Sequence, residues 1–347
     1  MSLVDTGGGS VRGPATAGPA ARDTTAAGSG GAESGAAAAG GPRRRSRRRT
    51  DWREAAWGYA LIAPTGIGLA VFYLWPVLQT AYLSFTEAGP FGGPSEWVGL
   101  ANYQELVSDP EVGRSLINTL AYTALGLIGI PIAVVVAALL SRPGLRGVAV
   151  YRTFFFLPVV TTPVAVAMIW RWIYSGDFGI LNYLLSLVGI QGPHWIADSR
   201  TALIAMVIVG IWMGLGYNLV IFIAAVKGIP RHYYEAAEID GAGPIQQFFR
   251  ITVPLLSPTI FFVSVVSVIG SLQLFDLVYV LAGGSNQASR ANPAFESMET
   301  IVYLFYAEAF QNNDKGYGAA IAMILLALIV ALTAVQFRLQ KRWVTYD

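Results

Sequence analysis

The chain has 347 residues, of which 54% are hydrophobic and 13% are charged. A soluble domain carries about 25% charged residues. The composition therefore excludes a soluble enzyme, a disordered protein and a nucleic-acid binder that works through a basic surface. Cysteine is absent, which excludes disulfides and thiolate chemistry, and the two histidines, His194 and His232, do not form a metal-binding motif.

The first fifty residues differ from the rest of the chain. Residues 1–50 are rich in Gly, Ala, Ser and Thr and poor in large apolar side chains. Such a segment cannot bury enough surface to fold, so a disordered cytoplasmic tail is predicted. The tail ends in an arginine run between Arg43 and Arg49, which is expected to contact anionic membrane lipid. The remainder, 51–347, is predicted to be a membrane domain.

Six apolar stretches in this domain are long enough to cross a bilayer, which takes about 20 residues. They lie near 57–85, 115–140, 151–174, 201–226, 256–282 and 317–337. Prolines recur inside them and are tolerated in a bundle, because neighbouring helices satisfy the freed carbonyl groups. The predicted fold class is an all-α integral membrane protein with six transmembrane helices.

The distribution of positive charge predicts the orientation of these helices. With the N-terminus inside, 18 of the 23 Lys and Arg residues fall on the cytoplasmic side. This is the bias expected for short cytoplasmic loops. Both termini are therefore predicted to be cytoplasmic, in a multi-pass protein of a bacterial plasma membrane.

The predicted cytoplasmic loop 227–258 has a helix–glycine–helix pattern. Its first helix is expected at Tyr233–Ile239, and a second helix begins after two glycines that permit positive φ. The residues that punctuate the loop are Gly241, Gly243, Pro244, Pro254 and Pro258. The last two prolines are expected to end the second helix. Two short helices with a tight bend form a compact knob, which either docks into another protein or simply caps the bundle.

Within this loop, Glu235-Ala236-Ala237 is followed after two residues by Asp240-Gly241-Ala242, and later by Phe248, Pro254 and Pro258. The pattern resembles the EAA motif of the permease subunits of bacterial binding-protein-dependent ABC importers. Within that class, the chain resembles sugar permeases of the maltose and glycerol-3-phosphate type. The resemblance covers residues 57–347, places the permease core at 111–338 and implies the type I importer fold.

The resemblance also implies how the chain is driven. In that family the EAA loop is a coupling helix that sits in a cleft of a cytoplasmic ATPase. The residues that match it here are Glu235, Ala236, Ala237, Asp240 and Gly241. The sequence contains no GxxxxGK[ST] motif. The chain is therefore expected to be a transporter subunit rather than an enzyme, with no cofactor or metal of its own.

The implied partners are a second homologous permease that forms a heterodimer with this chain and two cytoplasmic ABC ATPase subunits that bind ATP and Mg²⁺. An extracytoplasmic solute-binding protein, expected to be a lipoprotein, would deliver a carbohydrate. No nucleic-acid partner is expected.

A sugar passage needs aromatic rings for stacking and polar groups for hydrogen bonds. The candidate residues in the fourth and fifth spans are Trp212, Tyr217, Asn218, Gln273 and Asp276. The glycines near Trp212 provide room either for a ligand or for close helix approach. Asp276 either lines the passage or forms a structural pair, for which Arg171 is a candidate.

A neutral di- or oligosaccharide is the predicted cargo, since no Lys or Arg lies deep within a span. Glycerol-3-phosphate or another polyol, carried by the same machinery, is the alternative. A self-sufficient secondary sugar carrier would need ion-coupling carboxylates in mid-span and usually an internal repeat. A membrane-embedded enzyme would need a catalytic cluster within the spans. The sequence shows neither the features of a secondary carrier nor such a cluster.

Overall fold

The structure, a computed structural model, describes residues 52–87, 96–142, 144–145, 147–284, 288 and 290–343. The predicted tail 1–50 and its arginine run lie outside the described residues. The chain divides into two compact units, Met1–Leu61 and Ile62–Asp347. In the first unit the structure describes 52–61, the beginning of helix α1.

Most of the described chain is helical. The first half contains α1 Trp52–Leu69, α2 Trp75–Leu83, α3 Ala101–Ser108, α4 Pro110–Gly126, α5 Gly129–Leu140, α6 Val148–Val160, α7 Pro163–Ile173, α8 Ile180–Leu187 and α9 Ala202–Gly228. The second half contains α10 His232–Ile239, α11 Pro244–Gln247, α12 Val253–Leu255, α13 Ser257–Leu272, α14 Asp276–Ala282, α15 Phe295–Met298, α16 Ile301–Tyr306 and α17 Lys315–Trp343. Five-residue π-helical segments, called π-turns below, join several of these helices. They lie at Ala70–Leu74, Phe248–Thr252 and Ala307–Gln311. A short antiparallel hairpin pairs β1 Thr86–Glu87 with β2 Glu96–Trp97.

Among the described residues, four helical segments are long and apolar enough to cross a membrane: Ala55–Leu83, Pro110–Leu140, Ala202–Gly228 and Lys315–Lys341. Two bent helix pairs raise the number to six if each pair counts as one span: Ala149–Val160 with Pro163–Ile173, and Pro244–Leu255 with Ser257–Leu272. The predicted all-α membrane fold is thereby confirmed, and the third and fifth predicted spans differ from the prediction by an internal break.

The third predicted span, 151–174, is bent rather than straight. The helix axis changes direction by 107° between α6 and α7. Thr161 and Thr162 between them have extended backbone, with ψ values of 143° and 140°. The ring of Pro163 disfavours a helical conformation in the residue before it, which explains the break at this point.

The fifth predicted span, 256–282, contains two helices. α13 ends at Leu272, and α14 begins at Asp276. At the break, the Thr300 hydroxyl donates to the Leu274 carbonyl oxygen at 3.0 Å. This bond from a distant segment satisfies a backbone acceptor that the end of α13 leaves without a helical partner.

In the described part of the second unit, three apolar clusters join the helices. The first joins α7 and α14 to the N-terminal half of α9, and the second joins α5 and part of α13 to its C-terminal half. The third joins α3 and α4 to α16 and the start of α17. α9 is therefore the helix around which α4, α5 and α6 pack, and its buried residues include Ala202, Met206, Val209, Leu219 and Phe222.

Candidate coupling loop and passage

The loop 227–258 contains a left-handed turn directly after α10. Gly241 has φ of 76°, a conformation that a side chain with a Cβ adopts only with strain. The Gly241 amide donates to the Glu238 carbonyl oxygen at 3.0 Å, and the Ala242 amide donates to the Ala237 carbonyl oxygen at 2.8 Å. These two bonds form a Schellman motif, which ends the helix sharply.

The second half of the loop departs from the sequence prediction. Gly243 has φ of −72°, so Gly241 alone of these two glycines uses the left-handed conformation. The second helix of the loop continues through Pro254. This proline lies in the first turn of α12, directly after the π-turn, where a backbone N–H is not needed for a helical hydrogen bond. The chain then bends by 66° after Leu255, and Pro258 lies in the first turn of α13.

The five residues that match the coupling motif lie mostly on the surface of this loop. Glu235, Ala236, Asp240 and Gly241 are exposed, and Ala237 is half-buried. The surface also carries large apolar side chains that the motif did not indicate, namely Ile239, Ile245 and Phe249. Ile239 is 87% exposed. Acidic and exposed apolar groups side by side are typical of a protein interaction surface.

One contact joins α10 to the π-turn within the loop, and another joins that π-turn to α9. The Tyr234 hydroxyl lies 3.0 Å from the Thr252 Oγ1 in a hydrogen bond between α10 and the π-turn. Phe248 in that π-turn packs against the cluster that contains Leu219 and Phe222 of α9. These contacts connect α10 through the π-turn to α9. The sequence analysis missed Tyr234, whose partner is eighteen residues away.

The structure places the candidate passage residues of α9 on different faces. Trp212 is half-buried and packs edge-on against Trp170 of α7, with ring centroids 5.7 Å apart. Tyr217, five residues later, points about 140° away around the helix and is 50% exposed. Asn218 is buried. Of these three, Tyr217 presents the most side-chain surface.

The glycines of α9 serve close packing within the chain. A Cβ at Gly210 would overlap the Tyr122 hydroxyl, and a Cβ at Gly216 would overlap the Phe155 carbonyl oxygen of α6. Gly214 has ordinary room, with the nearest side-chain atom at 3.9 Å. Between the two roles open at the sequence level, Gly210 and Gly216 fit close approach of neighbouring groups.

Gln273 and Asp276 lie at the break between α13 and α14, and both are exposed. The suggested pairing of Asp276 with Arg171 is not formed. Instead, the Arg171 Nη1 donates to the Val280 carbonyl oxygen at 3.5 Å, one helical turn beyond Asp276. α7 packs along α14 at a register that brings Arg171 to the backbone of that turn.

A cluster of four aromatic rings next to this break was not predicted. It consists of Phe275, Tyr279, Tyr303 and Tyr306, and all ring centroids within it lie 4.9–6.5 Å apart. Their spacings, four residues in one pair and three in the other, are the available sequence signal. The cluster fixes α14 against α16 and so holds Asp276 in place.

Comparison with known proteins agrees with this architecture. Residues 129–345 match the family model of the binding-protein-dependent transport system inner membrane component. The chain is 32% identical over 290 residues to the sn-glycerol-3-phosphate transport system permease protein UgpA of Pectobacterium atrosepticum, covering 83% of this chain and 95% of the relative. It is 35% identical over 297 residues to the probable ABC transporter permease protein YesP of Bacillus subtilis, covering 84% and 92%.

Solved structures share the fold. A chain of a bacterial ABC transporter involved in the import of the acidic polysaccharide alginate superposes with a TM-score of 0.73 at 22% identity, covering 84% of this chain and 97% of that one. A second structure of an alginate ABC transporter, in complex with a periplasmic protein that holds an alginate pentasaccharide, gives the same TM-score of 0.73. The matched relatives are transport permeases, which sets aside the enzyme and secondary-carrier alternatives. The chain belongs to the family of binding-protein-dependent transport system inner membrane components, the permease subunits of ABC importers.

Proposed function

We propose that this permease passes a neutral di- or oligosaccharide across the bacterial plasma membrane and that a separate ATPase drives it through the loop 227–258. The observation that carries the coupling role is the connection from an exposed surface to the spans. Glu235 and Asp240 are exposed residues before the turn at Gly241, and the hydrogen bond between Tyr234 and Thr252 joins that surface to the helix that enters α13.

The docking surface consists of the five motif residues, Glu235, Ala236, Ala237, Asp240 and Gly241, together with the apolar side chains beside them. Small residues at positions 236 and 237 allow close approach of a partner, and Ile239 and Ile245 offer apolar area for burial. ATP-driven closure of the ATPases would pull this surface, and the spans would follow as a two-state lever.

The complete importer would contain a second homologous permease, two ATPase subunits that bind ATP and Mg²⁺, and a solute-binding lipoprotein. Both termini would be cytoplasmic, with the tail 1–50 as a separate segment that contacts lipid and 111–338 as the permease core. Within the described ranges, no group of three His, Asp or Glu side chains is placed to hold a metal ion.

A neutral cargo is supported by where the positive charges lie. The Lys and Arg residues of the candidate membrane segments are all near segment ends or in the loop helices: Arg114, Arg152, Arg171, Lys227, Arg250, Lys315, Arg338 and Lys341. An anionic cargo would favour a cation along the middle of the passage. Tyr217, Gln273 and Asp276 are exposed groups with the aromatic and polar chemistry that recognises a sugar.

sn-Glycerol-3-phosphate is the second candidate cargo, because several relatives with 32–34% identity are named as permeases of its transport system. The two candidates differ in charge and size. They are therefore distinguishable at the solute-binding protein, which presents the cargo to the permease.

The deciding experiment starts with purification of this chain from its native membrane in mild detergent, followed by identification of its companions. The co-purified binding protein is then titrated by calorimetry with neutral di- and trisaccharides and with sn-glycerol-3-phosphate. Saccharide binding and saccharide-stimulated ATP hydrolysis in proteoliposomes are the expected results. Binding of sn-glycerol-3-phosphate alone would establish the second candidate, and uptake by this chain without an ATPase would overturn the coupling role.

A further inference from the structure

Helix α8, in the connection between α7 and α9, directs its apolar face away from the protein. Ile180, Tyr183, Leu184 and Leu187 fall within an arc of about 100° on a helix with 3.6 residues per turn, and all four are exposed. Leu187 is 66% exposed. A surface helix of a water-soluble protein turns such an apolar stripe towards the protein core. α8 has the opposite arrangement.

The inward side of α8 is fixed by a polar residue. The Asn182 Nδ2 donates to the carbonyl oxygens of Gly176 and Pro193 at 3.0 and 3.1 Å, and its Oδ1 accepts from the Trp195 Nε1 at 2.7 Å. Leu181 beside it packs against the apolar cluster of α7, α9 and α14. These contacts fix the rotation of α8 about its axis. The Asn182 amide makes its hydrogen bonds within the chain.

A chain of contacts places α8 at the ends of two membrane segments. The Trp195 ring lies 6.1 Å from the Tyr174 ring, and the Tyr174 hydroxyl donates to the Ala205 carbonyl oxygen at 3.1 Å. Tyr174 directly follows α7, and Ala205 lies in the first turn of α9. In a membrane permease this level is the boundary between hydrocarbon and headgroups, and an eight-residue helix is too short to cross to the other side.

The segment that contains α8 is uncharged. No Asp, Glu, Lys or Arg occurs from Phe178 to Ala197. Phe178, Val188 and Ile190 add further exposed apolar area. An open cleft of about 980 Å³ beside α8 has a mixed lining, with Trp172 and Tyr183 next to Asp177 and Gln191. Trp and Tyr are enriched at this level of a bilayer because one end of each ring is apolar and the other is polar.

We propose that α8 is an interfacial helix that lies in the headgroup region of the bilayer, with Ile180, Tyr183, Leu184 and Leu187 inserted at the acyl boundary. Lipid fits better than a protein partner because this face carries no charge and its one polar atom is the tyrosine hydroxyl. A solute-binding protein that docks and leaves would return the whole apolar face to water in every transport cycle. The helix would anchor the α7–α9 connection to the membrane surface, whatever the cargo.

The absence of native cysteine makes a direct test available, because a single introduced cysteine takes a spin label at one defined site. Labels are placed on the proposed lipid face with Leu184→Cys and Leu187→Cys, and on the polar flank of the same helix with Ser186→Cys. Gln191→Cys, just beyond the helix, is a second control. The labelled full-length chain is studied in lipid nanodiscs, alone and in the assembled importer, by collision with oxygen and with a water-soluble nickel chelate.

The depth parameter, the logarithm of the oxygen-to-nickel accessibility ratio, is expected to be positive for the labels at 184 and 187 and negative for those at 186 and 191. Equal access of the nickel chelate to all four labels would show that α8 lies in water. Labels at 184 and 187 that are immobilised and shielded from both reagents in the assembled importer would show that a protein covers the face. Either result overturns the proposal. If one variant is unstable, Ile180→Cys reports on the same face.

Discussion

The turn after α10 and the middle of α9 use glycine for opposite purposes. Around Gly241 and Gly243 a Cβ would meet no atom within 4 Å. Along α9, the space next to Gly210 and Gly216 is filled by Tyr122 and by the backbone of α6. Glycine in the loop therefore serves backbone conformation on an open surface, where a partner is expected, whereas glycine in α9 serves the packing of the chain against itself.

The largest effect is expected for Gly241→Val. A β-branched residue at φ of 76° costs about 1–3 kcal/mol, so the turn relaxes and Glu235 and Asp240 change their relative positions. Uptake and ATP hydrolysis by the reconstituted importer are expected to fall by about tenfold or more, while the amount of the chain in the membrane stays normal.

Gly243→Val is the matched control. Gly243 has equally open surroundings, but its φ of −72° suits any residue, and its extended backbone is the conformation preferred before a proline. Transport by this variant is expected to stay close to that of the parent chain. Equal losses in the two variants would show that added bulk, rather than the left-handed turn, disrupts the loop.

The next effect is on stability rather than on coupling. Gly216→Ala brings a Cβ against the Phe155 carbonyl oxygen, which belongs to a helix backbone and cannot move without shifting α6. A loss of about 2 kcal/mol is expected from this overpacking, seen as a lower midpoint of thermal unfolding in detergent. Gly214→Ala, with its nearest neighbour at 3.9 Å, is expected to leave the midpoint unchanged. Similar midpoints for the two variants would contradict the close contact between α6 and α9.

The fold was predictable from the sequence where its cause is local, and it was not predictable where residues far apart in the chain meet. Long apolar runs predicted the helices of Ala202–Gly228 and Lys315–Lys341 to within a few residues, because hydrophobic length is a local property. The bend at Pro163 also had a local cause, the effect of a proline on the residue before it. The end of α13 was not predicted, because the polar residues Gln273 and Asp276 did not outweigh the apolar residues on either side. The hydrogen bond at this end comes from Thr300, which lies 26 residues from its partner Leu274.

The candidate sites follow the same rule. The turn at Gly241 was predictable because its hydrogen bonds join residues at most five positions apart. The packing around Trp212 was not, since it depends on Trp170 of a different helix. Tyr217 is half exposed, so its role depends on groups outside this chain, which this sequence does not encode.

Glu299 provides a test in the packed interior of the chain. It lies between α15 and α16, outside the candidate membrane segments, and is 4% exposed. Burial, assisted by Glu111, raises its pKa from 4.5 to about 7, although Arg114, Ser115 and Arg290 oppose the shift. A raised carboxyl pKa favours the protonated form in the folded state. Its stabilisation is fully present below pH 4.5 and is lost as pH rises to about 7.

The parent chain is therefore expected to lose stability between pH 5 and pH 7, by at most about 1.4 kcal/mol per pH unit from this group. Glu299→Gln is expected to flatten that slope in thermal unfolding measured across the range. Glu296→Gln is the control: this neighbouring carboxylate is exposed and paired with Arg114 at 3.2 Å, and exposed pairs contribute little. An unchanged slope in the Glu299 variant would show that the carboxyl group is hydrated.

The smallest effect is expected for Tyr217→Ala, a change on the exposed face of α9. Loss of ring stacking with a sugar is worth about 1 kcal/mol, or roughly a fivefold rise in the KM for uptake. Val220→Ala is the control, since Val220 lies one turn further on the same side of α9 and is also 50% exposed but has no ring. A raised KM in the tyrosine variant alone would assign Tyr217 to the passage. Equal kinetics in both variants would mean that this face of α9 meets lipid or the second permease, and the passage would then have to be sought around Gln273 and Asp276.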